Sequence, residues 1–146
     1  MKAGFTLVEI LIVVVILGIL AAIVIPQFTE ASTEAKTSSL CTDLQSVRSQ
    51  IELYKIQHND NMPGTGGATF VQALTGYTTI AGVVAAGPGA NIYGPYLQKM
   101  PINQFTNLST IRENAVADQG AGTDGWHFNT STGAFHADDT AAHALL

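Results

Sequence analysis

Glu9 is the one ionisable side chain between Phe5 and Ile25, a stretch that reads FTLVEILIVVVILGILAAIVI. A carboxylate in a membrane helix costs a few kcal/mol, roughly 2.5–3.5 at the centre, whereas each Leu, Ile or Val returns about 0.3–0.6. Insertion therefore survives the charge, and the question becomes what neutralises it. Either Glu9 lies near enough to the interface to stay wet or protonated, or it has a cationic partner. Lys2 is the only basic side chain before Lys36. Cutting the chain before Phe5 would remove Lys2 and create an α-amine, mostly protonated at neutral pH, one helical turn from Glu9.

A second group of chemistry-bearing residues lies near the C-terminus, where Gly125-Trp126-His127-Phe128-Asn129 and Ala134-Phe135-His136-Ala137-Asp138 flank Thr130 to Gly133. A four-residue loop sets Phe128 opposite Phe135 and Trp126 opposite Ala137 on one face of a hairpin. The other face then carries His127 opposite His136, with Asn129 and Asp138 beside them. Paired imidazoles next to a carboxylate suit zinc or copper, but spacing fixes no third ligand, and a solvated face is the alternative. No G-x-S-x-G motif or acid/base pair stands out, so no enzyme is expected. Gly64 to Gly67 reads GTGG without a preceding strand or a closing Gly-Lys-Ser/Thr, which makes it a surface loop rather than a phosphate cradle. The lone Cys41, one residue after Leu40, reads as a small, semi-buried hydrophobe that forms neither an intrachain disulfide nor a zinc cluster.

These residues need elements to position them. The 146 residues suit one domain, and charged residues make up 12%, about half the usual ~25%. A net charge of -5 repels phosphate backbones, so no nucleic-acid contact is expected. As a helix, Phe5 to Ile25 is about 31 Å long, one bilayer crossing. It is too long, and too poor in basic residues at its start, for an ordinary secretory signal, so a retained membrane helix is expected. Gly18 is a weak point in that helix and Pro26 should bend or open it. From Gln27 the chain turns amphipathic, with Leu40, Leu44, Val47, Ile51 and Tyr54 on one face, Glu30 to Glu34 and Asp43 to Arg48 outward, and a stop near His58. A coiled coil would need longer heptads flanked by opposite charges. A short helix is expected at Phe70 to Leu74, a strand at Thr78 to Ala85 and an irregular crossing at GPYLQKMPIN. The portion from Tyr77 to Leu146 is too small for a core of its own and must fold with the helix stripe.

Gly4-Phe5-Thr6-Leu7-Val8-Glu9 and the apolar run after it resemble the class III signal of type IV pilins and type II secretion pseudopilins. LYKIQHNDNMP is similar to the helix end, polar turn and proline of major pseudopilins. The resemblance implies an α+β, pilin-like fold, a long N-terminal helix packed on a small antiparallel sheet. Its parts would be a leader at 1–4, a transmembrane and filament-core helix at 5–25, an amphipathic half at 26–58 and a β-rich region at 59–146. It also implies cleavage between Gly4 and Phe5 by a prepilin peptidase, N-methylation of Phe5, and pairing of Glu9 with the Phe5 amine of a neighbouring subunit. The Gly18 to Pro26 stretch would loosen on assembly. The implied partners are further copies in a homopolymer, the membrane and the inner-membrane assembly machinery. The implied location is the bacterial inner membrane, as a single-pass protein, and then a periplasmic or extracellular filament.

Major pseudopilins also bind calcium through loop oxygens close to the C-terminus, and the candidates here are Asp118, Asp124, Asp138 and Asp139, without EF-hand spacing. Met100-Pro101-Ile102-Asn103 stands where pseudopilins often carry Asp-Pro-Trp-Gly, which points away from the secretion branch. The missing disulfide loop and short C-terminal region point toward it, and a secretion pseudopilin is slightly favoured. The alternative within the class is a type IV pilus major pilin, used in adhesion, twitching or DNA uptake. The alternative from another class is a single-pass, membrane-anchored envelope domain that binds a small ligand or metal and keeps its Met1 terminus.

Overall fold

The computed structural model describes residues 4–116, 120 and 122–146. A helix, α1, runs from Leu7 to Gln57 and passes through Pro26. The chain divides into two compact units, the first ending at Thr37 and the second comprising Ser38–Leu146. In the first unit the apolar helix covers nothing and is exposed along its length, and it is long and apolar enough to cross a membrane. Residues 27–36 are also exposed, so the amphipathic face expected from Gln27 is used for packing only from Leu40.

In the second unit Leu40, Leu44, Val47, Ile51 and Tyr54 are all buried, in the 4, 3, 4, 3 rhythm of one helical face. They join Phe70, Leu74, Trp126, Phe128 and Phe135 in one core. Helix α1 ends beside His58, whose ring stacks on Tyr54 at 3.7 Å between centroids. His58 Nδ1 donates to the Tyr54 carbonyl at 2.9 Å, and Nε2 lies 2.9 Å from the Thr78 hydroxyl oxygen. Asn59 and Asp60 then turn the chain through left-handed conformations. Helix α2, Phe70–Thr75, starts in a reciprocal cap between Thr69 and Gln72.

Six short strands form two three-stranded sheets: β1 (Tyr77–Thr79), β2 (Val84–Ala85) and β3 (Ile92–Tyr93) in the order β2-β1-β3, and β4 (Ile111–Asn114), β5 (Trp126–Asn129) and β6 (Phe135–Ala137) in the order β4-β5-β6. The first sheet is antiparallel; in the second, β5 and β6 are antiparallel and β4 lies parallel to β5. The single strand expected over Thr78 to Ala85 is instead a hairpin. Gly82 breaks it, because its φ of +78° suits glycine and a Cβ there would lie 2.3 Å from the Thr65 carbonyl oxygen.

The C-terminal hairpin has the expected register, with Trp126 opposite Ala137, His127 opposite His136 and Phe128 opposite Phe135. Asn129 folds its loop by accepting from the Ser131 and Thr132 amides at 2.9 and 3.0 Å. The aromatic face packs on α2, Phe70 meeting Phe128 at 4.4 Å and Phe135 at 5.6 Å. Phe128→Ala is expected to destabilise this unit by about 3–5 kcal/mol and Leu44→Ala by about 2–5. Leu53→Ala, at a position already 40% exposed, should stay within about 0.5 kcal/mol. Chemical denaturation of the three variants checks the order.

Candidate functional site

Gly4 and Phe5 precede the first turn of α1 and are exposed, Phe5 by 83%. Apart from its chain neighbours, no atom of the described residues lies within 4 Å of the position a Cβ would take on Gly4. The Gly4–Phe5 peptide is thus an open, non-helical bond, as a protease requires. Immediately after it, Thr6 and Glu9 close on each other. Glu9 Oε2 accepts from the Thr6 amide at 2.7 Å and from the Thr6 hydroxyl at 2.8 Å, and the Thr6 hydroxyl oxygen accepts from the Glu9 amide at 3.3 Å. This is a reciprocal capping box on the first turn of α1.

The cap changes the electrostatic problem posed by Glu9. A helix leaves its first amides without partners and carries partial positive charge at its start. Glu9 places its carboxylate there and satisfies donors that lipid cannot. Both side-chain bonds fall on Oε2, and among the described residues Oε1 accepts none. The acid therefore has a holding partner within its own chain and an oxygen open to another. The Thr-x-x-Glu spacing of Thr6 to Glu9 carries this signal in the sequence, where Glu9 was read for its charge alone.

Further along, α1 remains helical through Gly18 and Pro26. Pro26 has no N–H for the carbonyl one turn earlier, so the backbone is weakened there without being opened. Thr29, Thr33 and Thr37 each donate to the carbonyl four residues before, at 3.0 Å. Such back-bonding favours slight bending of a helix. Apart from its chain neighbours and the surrounding helix backbone, no atom of the described residues lies within 4 Å of a Cβ built on Gly18, so packing among them does not explain a glycine there.

The C-terminal candidates are arranged differently from the sequence reading. The His127 face of the hairpin is not solvated: His127, Asn129 and Asp138 are buried and His136 is half-buried. His127 Nε2 meets Asn114 Oδ1 at 2.9 Å, and His136 Nδ1 donates to the Ala144 carbonyl at 2.8 Å. The two imidazole centroids are 6.4 Å apart. Asp138 is held by Arg112, and Asp139 by His143 Nδ1 and by Asn103 Nδ2 at 3.2 Å. Asp124 accepts from the Thr123 hydroxyl at 3.2 Å. Asp118 lies outside the described residues. Among the described residues no three His, Cys, Asp or Glu side chains come together as metal ligands. Among the described residues the carboxylates of Asp138 and Asp139 are thus committed to protein partners.

Two further placements were not legible in the pattern. Arg48, expected to point outward, reaches from α1 to the Phe135 carbonyl with Nε at 3.0 Å and Nη2 at 2.8 Å, and to the Leu146 carbonyl at 2.9 Å. The Met100 to Asn103 segment braces the hairpin: the Pro101 carbonyl accepts from the Trp126 indole at 2.9 Å, and buried Asn103 donates to the Gly125 carbonyl at 2.9 Å.

A lone apolar helix behind an open, capped N-terminus, continuing into a helix that packs on a small sheet, defines a pilin-like subunit. The family model for the prokaryotic N-terminal methylation motif matches residues 1–25. The chain is 34% identical to type II secretion system core protein G of Pseudomonas aeruginosa over 108 residues, covering 73% of this chain and 70% of the relative. It is 30% identical to type II secretion system core protein G of Vibrio cholerae over 139 residues, 91% of this chain and 88% of the relative. It is also 27% identical over 116 residues to the type IV major pilin protein PilE1 of Neisseria gonorrhoeae, 80% of this chain and 56% of the relative. No solved structure gives a significant match. The chain belongs to the type II secretion system core protein G family, the major pseudopilins.

Burial lowers the His136 pKa below its ordinary value of 6.5; the bond to the Ala144 carbonyl opposes this and nearby Arg48 adds to it. The folded state thus disfavours the imidazolium, whereas the unfolded chain protonates near 6.5. The sign follows: this contribution is complete above 6.5 and is lost as pH falls from there toward the folded-state value. His136→Gln is expected to make the unfolding midpoint less sensitive to acidification between about pH 7.5 and 5.5. Thermal melts of both proteins at the two pH values check this.

Proposed function

We propose that this chain is the major structural subunit of a type II secretion pseudopilus, processed at Gly4–Phe5 and polymerised through its N-terminal helix. The observation that carries this reading is the Thr6–Glu9 cap beside an open scissile bond at the head of an uncovered apolar helix. In the bacterial inner membrane, Leu7 to Ile25 is solvated by lipid and Glu9 is held by Thr6. A prepilin peptidase removes residues 1–4 at the cytoplasmic face and the new Phe5 amine is methylated, which keeps its positive charge.

During assembly the helix leaves the bilayer and packs among copies of itself, so its apolar surface stays out of water in both states. Glu9 then exchanges part of its hydrogen bonding to Thr6 for the Phe5 amine of a neighbouring subunit. A carboxylate buried among apolar helices without that amine is penalised by several kcal/mol, so the pair fixes axial register. The weakened stretch between Gly18 and Pro26 gives the helix room to adapt. In this reading the protein performs no catalysis; its partners are the peptidase, the inner-membrane assembly machinery and further copies in a periplasmic filament.

The similarity to a gonococcal type IV pilin and the Met100 to Asn103 segment favour a second reading, a surface type IV pilus built by the same N-terminal chemistry. Negative-stain images of native cells separate the two, long surface fibres belonging to the second.

Glu9→Gln isolates the charge, because Gln preserves the capping box. The variant is expected to insert and be cleaved normally while filament yield falls at least about tenfold. Normal yield would contradict the pairing. Intact mass of the membrane-extracted protein tests the processing: loss of four residues and gain of one methyl group is expected. An uncut chain in cells with the peptidase would favour an anchored envelope domain.

A further inference from the structure

The first unit carries two aromatic side chains, Phe5 and Phe28, exposed by 83% and 76%. Phe28 stands past Pro26, outside the apolar run that ends at Ile25. A phenyl ring held in water on a helix that covers nothing is unfavourable. The charges along the helix bound where the ring can go. Glu9 and Glu30 are successive ionisable groups, and the uncharged stretch between them, Ile10 to Thr29, is about 30 Å long as a helix. That equals the hydrocarbon thickness of a bilayer. Ending the lipid-covered span at Ile25 would leave one turn of this stretch, with Phe28 on it, in water.

The polar groups beside Phe28 fit the same boundary. The Thr29 hydroxyl donates to the Ile25 carbonyl at 3.0 Å, so it needs no water. Gln27 is at the level of the ring, where a long amide side chain reaches headgroup water. Beyond them come Glu30, Glu34 and Lys36, all exposed, whose charges belong outside the hydrocarbon. Aromatic side chains gather at the two faces of a bilayer, and phenyl rings of interfacial helices lie in the zone between headgroups and acyl chains.

We propose that Phe28 anchors the unassembled subunit in the outer boundary of the membrane, its ring lying among the upper acyl chains on the periplasmic side. This rests on the membrane-inserted subunit of the proposed function and extends its lipid-covered span from Ile25 to Thr29. The anchor fixes depth. With Phe28 at one boundary, Glu9 falls about 28 Å away, at the other. The capped carboxylate then lies within reach of cytoplasmic water, and Phe5 lies at the cytoplasmic face. Of the two ways of accommodating Glu9, the wet interface serves the inserted subunit and the cationic partner serves the assembled one.

The test is fluorescence quenching of the full chain in phosphatidylcholine vesicles, with nitroxide placed either near the headgroup or deep in the acyl chain. Leu7→Trp, Ile16→Trp, Phe28→Trp and Glu34→Trp are each read against the wild type, whose Trp126 is buried in the second unit. Phe28→Trp and Leu7→Trp are expected to be quenched at least about twofold more by the shallow nitroxide, Ile16→Trp more by the deep one, and Glu34→Trp no more than the wild type. Leu7→Trp combined with Phe28→Ser should shift toward the deep nitroxide, because the span then ends at Ile25. An unchanged pattern in that double variant would overturn the anchoring role. So would Phe28→Trp matching Glu34→Trp, which places the ring in water, or deep quenching of either Phe28→Trp or Leu7→Trp. Blue-shifted emission of Phe28→Trp that neither nitroxide quenches would mean that a second copy covers the ring, and would also overturn it. If Ile16→Trp escapes both nitroxides, the helix is outside lipid and the membrane reading fails as well.

Discussion

One carboxylate among apolar neighbours sets the terms for the first half of this molecule. Glu9 lies in a helix that otherwise offers lipid an unbroken hydrocarbon surface, and its side chain is satisfied by the turn that it caps. The cap makes the inserted subunit tolerable without making it final. Hydrogen bonds from one threonine leave the charge itself unbalanced, and only a cation removes that penalty. In the proposed function, a newly exposed N-terminal amine is the cation that processing creates, and a neighbouring copy is the means of delivering it. On that proposal membrane residence and polymerisation are two solvations of one helix, distinguished by which group Glu9 meets.

The second unit answers a different constraint. A small β-rich segment cannot bury enough apolar surface by itself, and the face from Leu40 to Tyr54 supplies what it lacks. Trp126, Phe128 and Phe135 cover that face and α2 in turn. The far side of the same hairpin is a buried polar layer whose groups are matched individually: Asp138 to Arg112, His136 to the Ala144 carbonyl, Asn129 to its own loop. Arg48 ties α1 to β6 by two bonds to one carbonyl. Long cationic side chains thus do in this unit what disulfides do in other small domains, and Cys41 stays a free thiol in the helix.

What could be read from sequence follows from how local each signal is. The stripe on α1 and the register of the β5–β6 hairpin depend on spacings of three, four and two residues, and both emerged as expected. The N-terminal motif was legible because its chemistry lies within six consecutive positions, although its capping role was passed over in favour of its charge. The turn at Gly82 was missed because a glycine inside an apolar run announces a break only when its neighbour in space, the Thr65 carbonyl, is known. The parallel pairing of β4 with β5 and the burial of the His127 face depend on where a distant strand returns. Arg48 and Arg112 were misread or unread for the same reason: a long side chain on a polar surface and one reaching across a sheet look alike in a sequence.

The most direct measurement is a density map of the assembled filament at side-chain resolution, read at Glu9. The account predicts one carboxylate oxygen within about 4 Å of a neighbouring subunit's Phe5 nitrogen. A filament in which Glu9 meets only its own Thr6, with that nitrogen paired elsewhere, would contradict it.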